Sequence, residues 1–142
     1  MYRILLAIDT NQERIDQAVE TVTDLPGHEK ISVTILNVFE EFDAVDEGGR
    51  VNSESLYDES NIPESVEFAR KRLEGTDIEA TVRREHGEPA ETILRVASEV
   101  DANAIVMTGR KRSPAGKVLF GSVTQSVLLS ADCPVIVTTT GQ

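Results

Sequence analysis

Tryptophan is absent from the 142 residues, cysteine occurs once, lysine only four times, and no long hydrophobic run is present. A single cysteine, Cys133, excludes an internal disulfide. It precedes Pro134 at the start of an apolar run, where a thiol is expected to be buried as a small hydrophobe, and no chemistry is assigned to it. The first apolar stretch, Ile4 to Ile8, ends at Asp9 and is too short for a signal or membrane-spanning segment, so a cytoplasmic protein is expected. Cations are scarce as well: Lys+Arg is 14 against Asp+Glu 25, a net charge of −11. Such a surface repels polyanions, which argues against nucleic acid and anionic membrane as partners. With so few lysines among its cations it resembles proteins adapted to high salt, where screening damps self-repulsion.

Familiar phosphate and nucleophile motifs are missing too. No GxGxxG follows the first apolar run, no GxxxxGK precedes a Ser or Thr, and no GxSxG occurs, so dinucleotide, P-loop and hydrolase readings fail. His28 sits in the Pro26-Gly27-His28 turn and His86 lies far from it in the chain. With one cysteine they suggest no metal site, and neither is offered as a catalyst.

What remains is a regular alternation. Ile4 to Ile8, Ile31 to Phe39, Ile78 to Val82, Ala104 to Met107 and Val135 to Val137 read as strands. Between them Gln12 to Leu25, Pro63 to Leu73, Glu88 to Val100 and Ser122 to Leu129 carry helical spacing. Strict βαβα alternation predicts one domain over residues 1–142, an α/β protein with a single doubly wound parallel sheet of five strands, ordered 3-2-1-4-5, and four helices, two on each face. The third strand alternates Ile78, Ala80 and Val82 with Glu79, Thr81 and Arg83, as an edge strand does, whereas the first and fourth look central. The fifth, apolar on both faces at Val135, Ile136 and Val137, would leave an unpaired edge, and a homodimer through it is expected. Glu40 to Asn61 is long, polar and acidic with Gly48-Gly49, and reads as a solvated loop beside the cleft.

In such a sheet ligands bind beyond the carboxyl ends of the strands where the winding reverses, here strands one and four. Strand one leads into Asp9 and Thr10. Strand four leads into Gly109 to Lys117, which holds four of the fourteen cations, Arg110, Lys111, Arg112 and Lys117, in an otherwise acidic chain. Gly109 and Gly116 allow backbone amides close to a ligand, and Gly121-Ser122 opens a helix whose N-terminus suits phosphate. The plain alternative is a solvated basic turn with Ser122 as an ordinary N-cap. Asp9 likewise either contacts a ribose, purine or phosphate-bound cation, the reading preferred here, or simply caps the first helix.

These residues resemble the universal stress protein family along nearly the whole chain. The resemblance rests on Ile4-Leu5-Leu6-Ala7-Ile8-Asp9, on His86-Gly87-Glu88-Pro89-Ala90-Glu91-Thr92-Ile93, and on Gly121-Ser122-Val123-Thr124 followed by Cys133-Pro134-Val135-Ile136-Val137. The family's ATP-binding branch carries G-x2-G-x9-G-S/T, of which the last pair stands here as Gly121-Ser122. Counted back without a gap, the first two glycines fall on Thr108 and Lys111; shifted by one, they fall on Gly109 and Arg112, and the second glycine is lost either way.

The resemblance implies an adenine nucleotide alpha hydrolase-like, Rossmann-like fold and a cleft for ATP, with or without Mg. Asp9 and Val38 would contact base and ribose, Thr108, Gly109, Arg110 and Lys111 the phosphates, and Gly121, Ser122, Val123 and Thr124 the phosphates and ribose, with Ala7, Thr10 and Met107 also in the nucleotide site. It implies a homodimeric stress-response protein, a nucleotide-dependent switch and at most a slow ATPase. The competing reading is an interaction module that has lost nucleotide and docks a partner or small anion through its basic loop.

Overall fold

The computed structural model describes residues 1–8, 12–39, 64–110 and 121–140. The expectations placed on Asp9, Thr10, Lys111, Arg112, Lys117 and the segment Glu40 to Asn61 lie outside the described residues. The elements are β1 (Tyr2–Ala7), α1 (Gln12–Thr23), a 3-10 turn (His28–Lys30), β2 (Ile31–Phe39), α2 (Glu64–Glu74), β3 (Glu79–His86), α3 (Pro89–Glu99), β4 (Ala104–Arg110), α4 (Ser122–Ser130) and β5 (Val135–Thr140). All strand pairs are parallel and the order is β3-β2-β1-β4-β5, as the alternation predicts.

Each helix buries one stripe against the sheet. Ile15, Ala18, Val19 and Val22 of α1 join Val66, Ala69 and Leu73 of α2 over Ile4, Leu6, Val33, Ile35 and Val106 on one face. Ala90, Ile93, Val96 and Ala97 of α3 join Val127 of α4 over Leu5, Ala7, Leu36, Ile105 and Met107 on the other. Strand alternation sends neighbouring residues of β1 and β4 to opposite cores, so both strands read as continuous apolar runs. The His86-Gly87-Glu88-Pro89 motif is a turn. Gly87 takes φ 143°, a backbone that disfavours side chains. Glu88 caps α3 by accepting from the amides of Glu91 at 2.8 Å and Ala90 at 3.3 Å, and Pro89 occupies the first helical turn, where its missing donor costs nothing. Among the described residues no helix is long and apolar enough to cross a membrane.

Three strands run further than their apolar cores suggest: β3 to His86, β4 to Arg110 and β5 to Thr140. Backbone pairing does not require apolar side chains, and these polar extensions all lie at the carboxyl ends. On the outer part of β3, Arg83 and Arg95 alternate with Glu85 and Glu99 in a closed ring that ties β3 to α3. Arg83 Nε meets Glu85 Oε2 at 2.8 Å, Arg95 Nη2 meets Glu85 Oε1 at 3.1 Å, Arg95 Nη1 meets Glu99 Oε2 at 2.9 Å, and Arg83 also bonds Glu99.

Partial burial pushes the Glu85 carboxyl up, but the hydrogen bonds and charges of Arg83 and Arg95 outweigh it, and the net direction is down. A folded value below the unfolded glutamate value of about 4.3 means stability that is complete above that pH and lost as pH falls through the folded value. Glu85→Gln should therefore flatten the acid-side loss of stability between about pH 5 and pH 3, read as the urea midpoint against pH. Parallel curves for the two proteins would show that the ring contributes no pH dependence.

Candidate functional site

The central strands differ in how far they reach at their carboxyl ends. β1 pairs with β2 up to Ala7↔Leu36 and with β4 up to Ala7↔Met107. Beyond those pairs β2 continues against β3 to Phe39↔His86, and β4 continues against β5 to Arg110↔Thr140. Asn37, Val38 and Phe39 on one side and Thr108, Gly109 and Arg110 on the other thus continue beyond the paired part of β1, with the Ile8 amide still reaching Leu36 O at 3.2 Å. The place beyond the end of β1, between β2 and β4, is where the direction of winding reverses.

Several residues singled out in the sequence meet there. Ala7 and Met107 are buried, and Val38 and Val123 pack against the same cluster, so side chains from β1, β2, β4 and α4 share one face. Alternation puts Gly109 on that face too and Thr108 on the α1 face, beside its register partner Thr138. The backbone of Arg110 closes β4. Chain direction places the start of α4 at this same carboxyl end, because α4 lies between the end of β4 and the start of β5.

The N-cap of α4 is Gly121, with φ −70° and ψ 170° and no side-chain cap. This corrects the plain alternative that made Ser122 the N-cap: Ser122 is the first helical residue. Gln125 N bonds Gly121 O at 3.0 Å as the first helical link. The N-cap glycine has no side chain to offer the amides of the first turn, which carry the positive end of the helix dipole. Gly121 and Ser122 are exposed, Val123 is half-buried and Thr124 is buried. A Cβ on Gly121 would meet no atom within 4 Å. Neither a strained backbone nor a contact with the described residues requires glycine here.

Two residues escaped the sequence reading. Asn37 and Arg84 are register partners at the carboxyl ends of β2 and β3, and both are buried, at 7% and 5% exposure. They continue the core-facing series Val33, Ile35 and Ala80, Val82, and the signal was a polar residue at the next core-facing position. Asn37 Oδ1 has no hydrogen-bond partner among the described residues. Cys133 also departs from expectation: it is half-buried rather than buried. Burial and the charge of Asp132 push its thiol up, away from the reactive thiolate.

A profile of the universal stress protein family matches residues 1–139. The chain belongs to the universal stress protein family. Stress response protein NhaX of Bacillus subtilis is 29% identical over 84 residues, which are 59% of this chain and 51% of that protein. The match thus spans about half the length of that relative. The structure of the protein MJ0577 superposes with a TM-score of 0.77 at 24% identity, covering 100% of this chain and 99% of that one, a likeness of fold. The universal stress protein from Archaeoglobus fulgidus in complex with dAMP gives a TM-score of 0.61 at 25% identity, covering 96% and 97% of the two chains.

Proposed function

We propose that this universal stress protein binds an adenine nucleotide, ATP by preference, in the crevice beyond β1, and acts as a dimeric, cytoplasmic regulator of the stress response rather than as a fast catalyst. The observation that carries the reading is the overhang of β2 and β4 past Ala7, facing the helix start at Gly121. Such a gap offers apolar walls from Val38 and Met107 to a base, and the amides of Ser122, Val123 and Thr124 to phosphate oxygens. The Archaeoglobus fulgidus relative holding dAMP lends support. In this reading Asp9 and Thr10 reach the ribose side, and Arg110 and Lys111 bind phosphate oxygens from outside, replacing the close backbone approach that the missing glycine would give.

Isothermal titration with ATP at low and high salt tests it. Wild type should bind with a dissociation constant in the micromolar range, weakened by salt, and Lys111→Glu should lose about tenfold or more. Absence of heat at both salt concentrations would leave the interaction module, docking a partner or small anion through the basic loop, as the standing reading.

A further inference from the structure

Among the described residues the large apolar side chains left exposed are Leu129 at 85%, Met1 at 71%, Tyr2 at 44% and Leu128 at 41%. Two of these are neighbours on α4. That helix bears no charged residue, and over residues 121–140, which hold α4 and β5, the only charge is Asp132. The chain as a whole is densely charged, with Asp+Glu 25 against Lys+Arg 14. β5 lies at the sheet edge with Val135, Ile136 and Val137 half-buried.

The helix period fixes where the leucines point. Val127 is the fully buried anchor of α4, in the cluster against which Val135 and Val137 of β5 pack. At about 100° per residue, Ser130 lies about 60° to one side of Val127, Leu128 about 100° to the other, and Leu129 points outward. Ser130 lines the cavity beside Cys133 together with Leu94, Ala97 and Ser98 of α3, so its flank of α4 faces α3. α3 packs over β2 and β3, and α4 over β4. Leu128 thus stands on the flank away from α3, the side of β5 and the open edge.

We infer that this uncharged flank of α4 is an interface with a second copy of the chain, continuous with β5. The contact rests on the dimeric reading above and extends it from the β5 backbone to the side chains of α4. A two-fold axis that pairs β5 antiparallel with itself stands perpendicular to the sheet, so both copies of α4 lie on the same face, one on each side of the seam. Copies that each carry −11 repel one another, and the stretch 121–140 is where they can meet with little charge facing charge. Area points the same way. β5 has 6 residues and is about 20 Å long, while a stable interface buries at least about 1,200 Å² in total, so a backbone ladder needs apolar surface beside it, which Leu128 and Leu129 supply. The other edge offers no such surface: β3 carries Glu79, Arg83, Arg84 and Glu85, charges that discourage strand addition there.

Sedimentation equilibrium of the full chain at high salt tests the contact. The double variant Leu128→Gln/Leu129→Gln should raise the dimer dissociation constant about tenfold or more. Tyr2→Gln, which removes exposed apolar surface from β1 with β4 between it and β5, should leave the constant unchanged. Leu129→Glu, at a position too exposed to disturb the fold, should weaken the dimer as well, and more at low salt than at high salt. A wild-type monomer at every salt concentration would overturn the dimer reading and the α4 contact together. A wild-type dimer whose dissociation constant is unmoved by the leucine variants, or moves as much in Tyr2→Gln, would overturn the α4 contact alone and leave β5 as the interface.

Discussion

Replacing Gly121 by aspartate should stabilise the protein while weakening ATP binding by more than about tenfold. The backbone at Gly121, φ −70° and ψ 170°, is the extended conformation that capping aspartates adopt, and a Cβ there meets no atom within 4 Å. The new carboxylate would accept from the amides of Val123 or Thr124 and sit at the positive end of α4. The gain over glycine is a few tenths of a kcal/mol from the cap and about 0.3–1 kcal/mol from the dipole. Those are the amides assigned to phosphate, so the variant both occupies the site and places a negative charge against the ligand. Thermal unfolding and isothermal titration read the two effects separately. A stabilised variant that binds ATP as wild type does would remove the start of α4 from the phosphate site.

The second large effect is on mass. The chain of 15.5 kDa should scatter light as a species of twice that mass, and Val137→Pro should return it to the monomer. Ile105 N bonds Pro134 O at 2.9 Å, and Ile105 is the register partner of Val135. In a parallel ladder this pattern turns the amides of Val135 and Val137 away from β4, toward the open edge. Proline at 137 thus removes an outward donor and leaves the ladder to β4 intact, as edge strands permit. A two-fold axis uses the same donor twice, so one substitution deletes two hydrogen bonds of about 0.5–1.5 kcal/mol each, about 1–3 kcal/mol in all, and weakens the dimer about fivefold to 150-fold, which shows as monomer at concentrations near the wild-type dissociation constant. With −11 on each protomer, association should tighten as salt rises. A wild-type monomer at every salt concentration, or a proline variant that still pairs, would remove β5 as the interface.

Sheet order and the placement of helices were legible in the sequence because the two periods, near two for β3 and near 3.6 for the helices, are unmixed here. The edge position of β3 could be read from Glu79, Thr81 and Arg83 alternating with Ile78, Ala80 and Val82. The carboxyl ends were less legible. His86, Arg110 and Thr140 close strands in backbone pairing, and no apolar signal marks them. The same holds at the carboxyl end of β1: the convergence of Ala7, Met107 and Val38 follows from strand order and register, whereas the placing of the N-cap at Gly121 rather than Ser122 depends on local φ and ψ. Buried Arg84 was missed because the apolar signal of β3 stops at Val82, and Asn37 because a single polar residue inside the strand read as Ile31 to Phe39 does not announce burial. The cavity beside Cys133 was invisible, since it forms where two helix ends distant in the chain come together.

The central position of β1 has a consequence for synthesis. Ile4 is synthesised before both of its neighbours in the finished sheet, Val33 and Ala104, so one side of β1 waits for about 29 residues and the other for 100. Closing a loop of that length carries an entropic cost of about 4 kcal/mol before any contact repays it. The half formed by β1, β2 and β3 can pair as soon as it leaves the exit tunnel, while the most apolar strand keeps one flank bare until β4 is made. During translation that bare flank is the point at which a nascent chain is most open to chaperones and to mispairing.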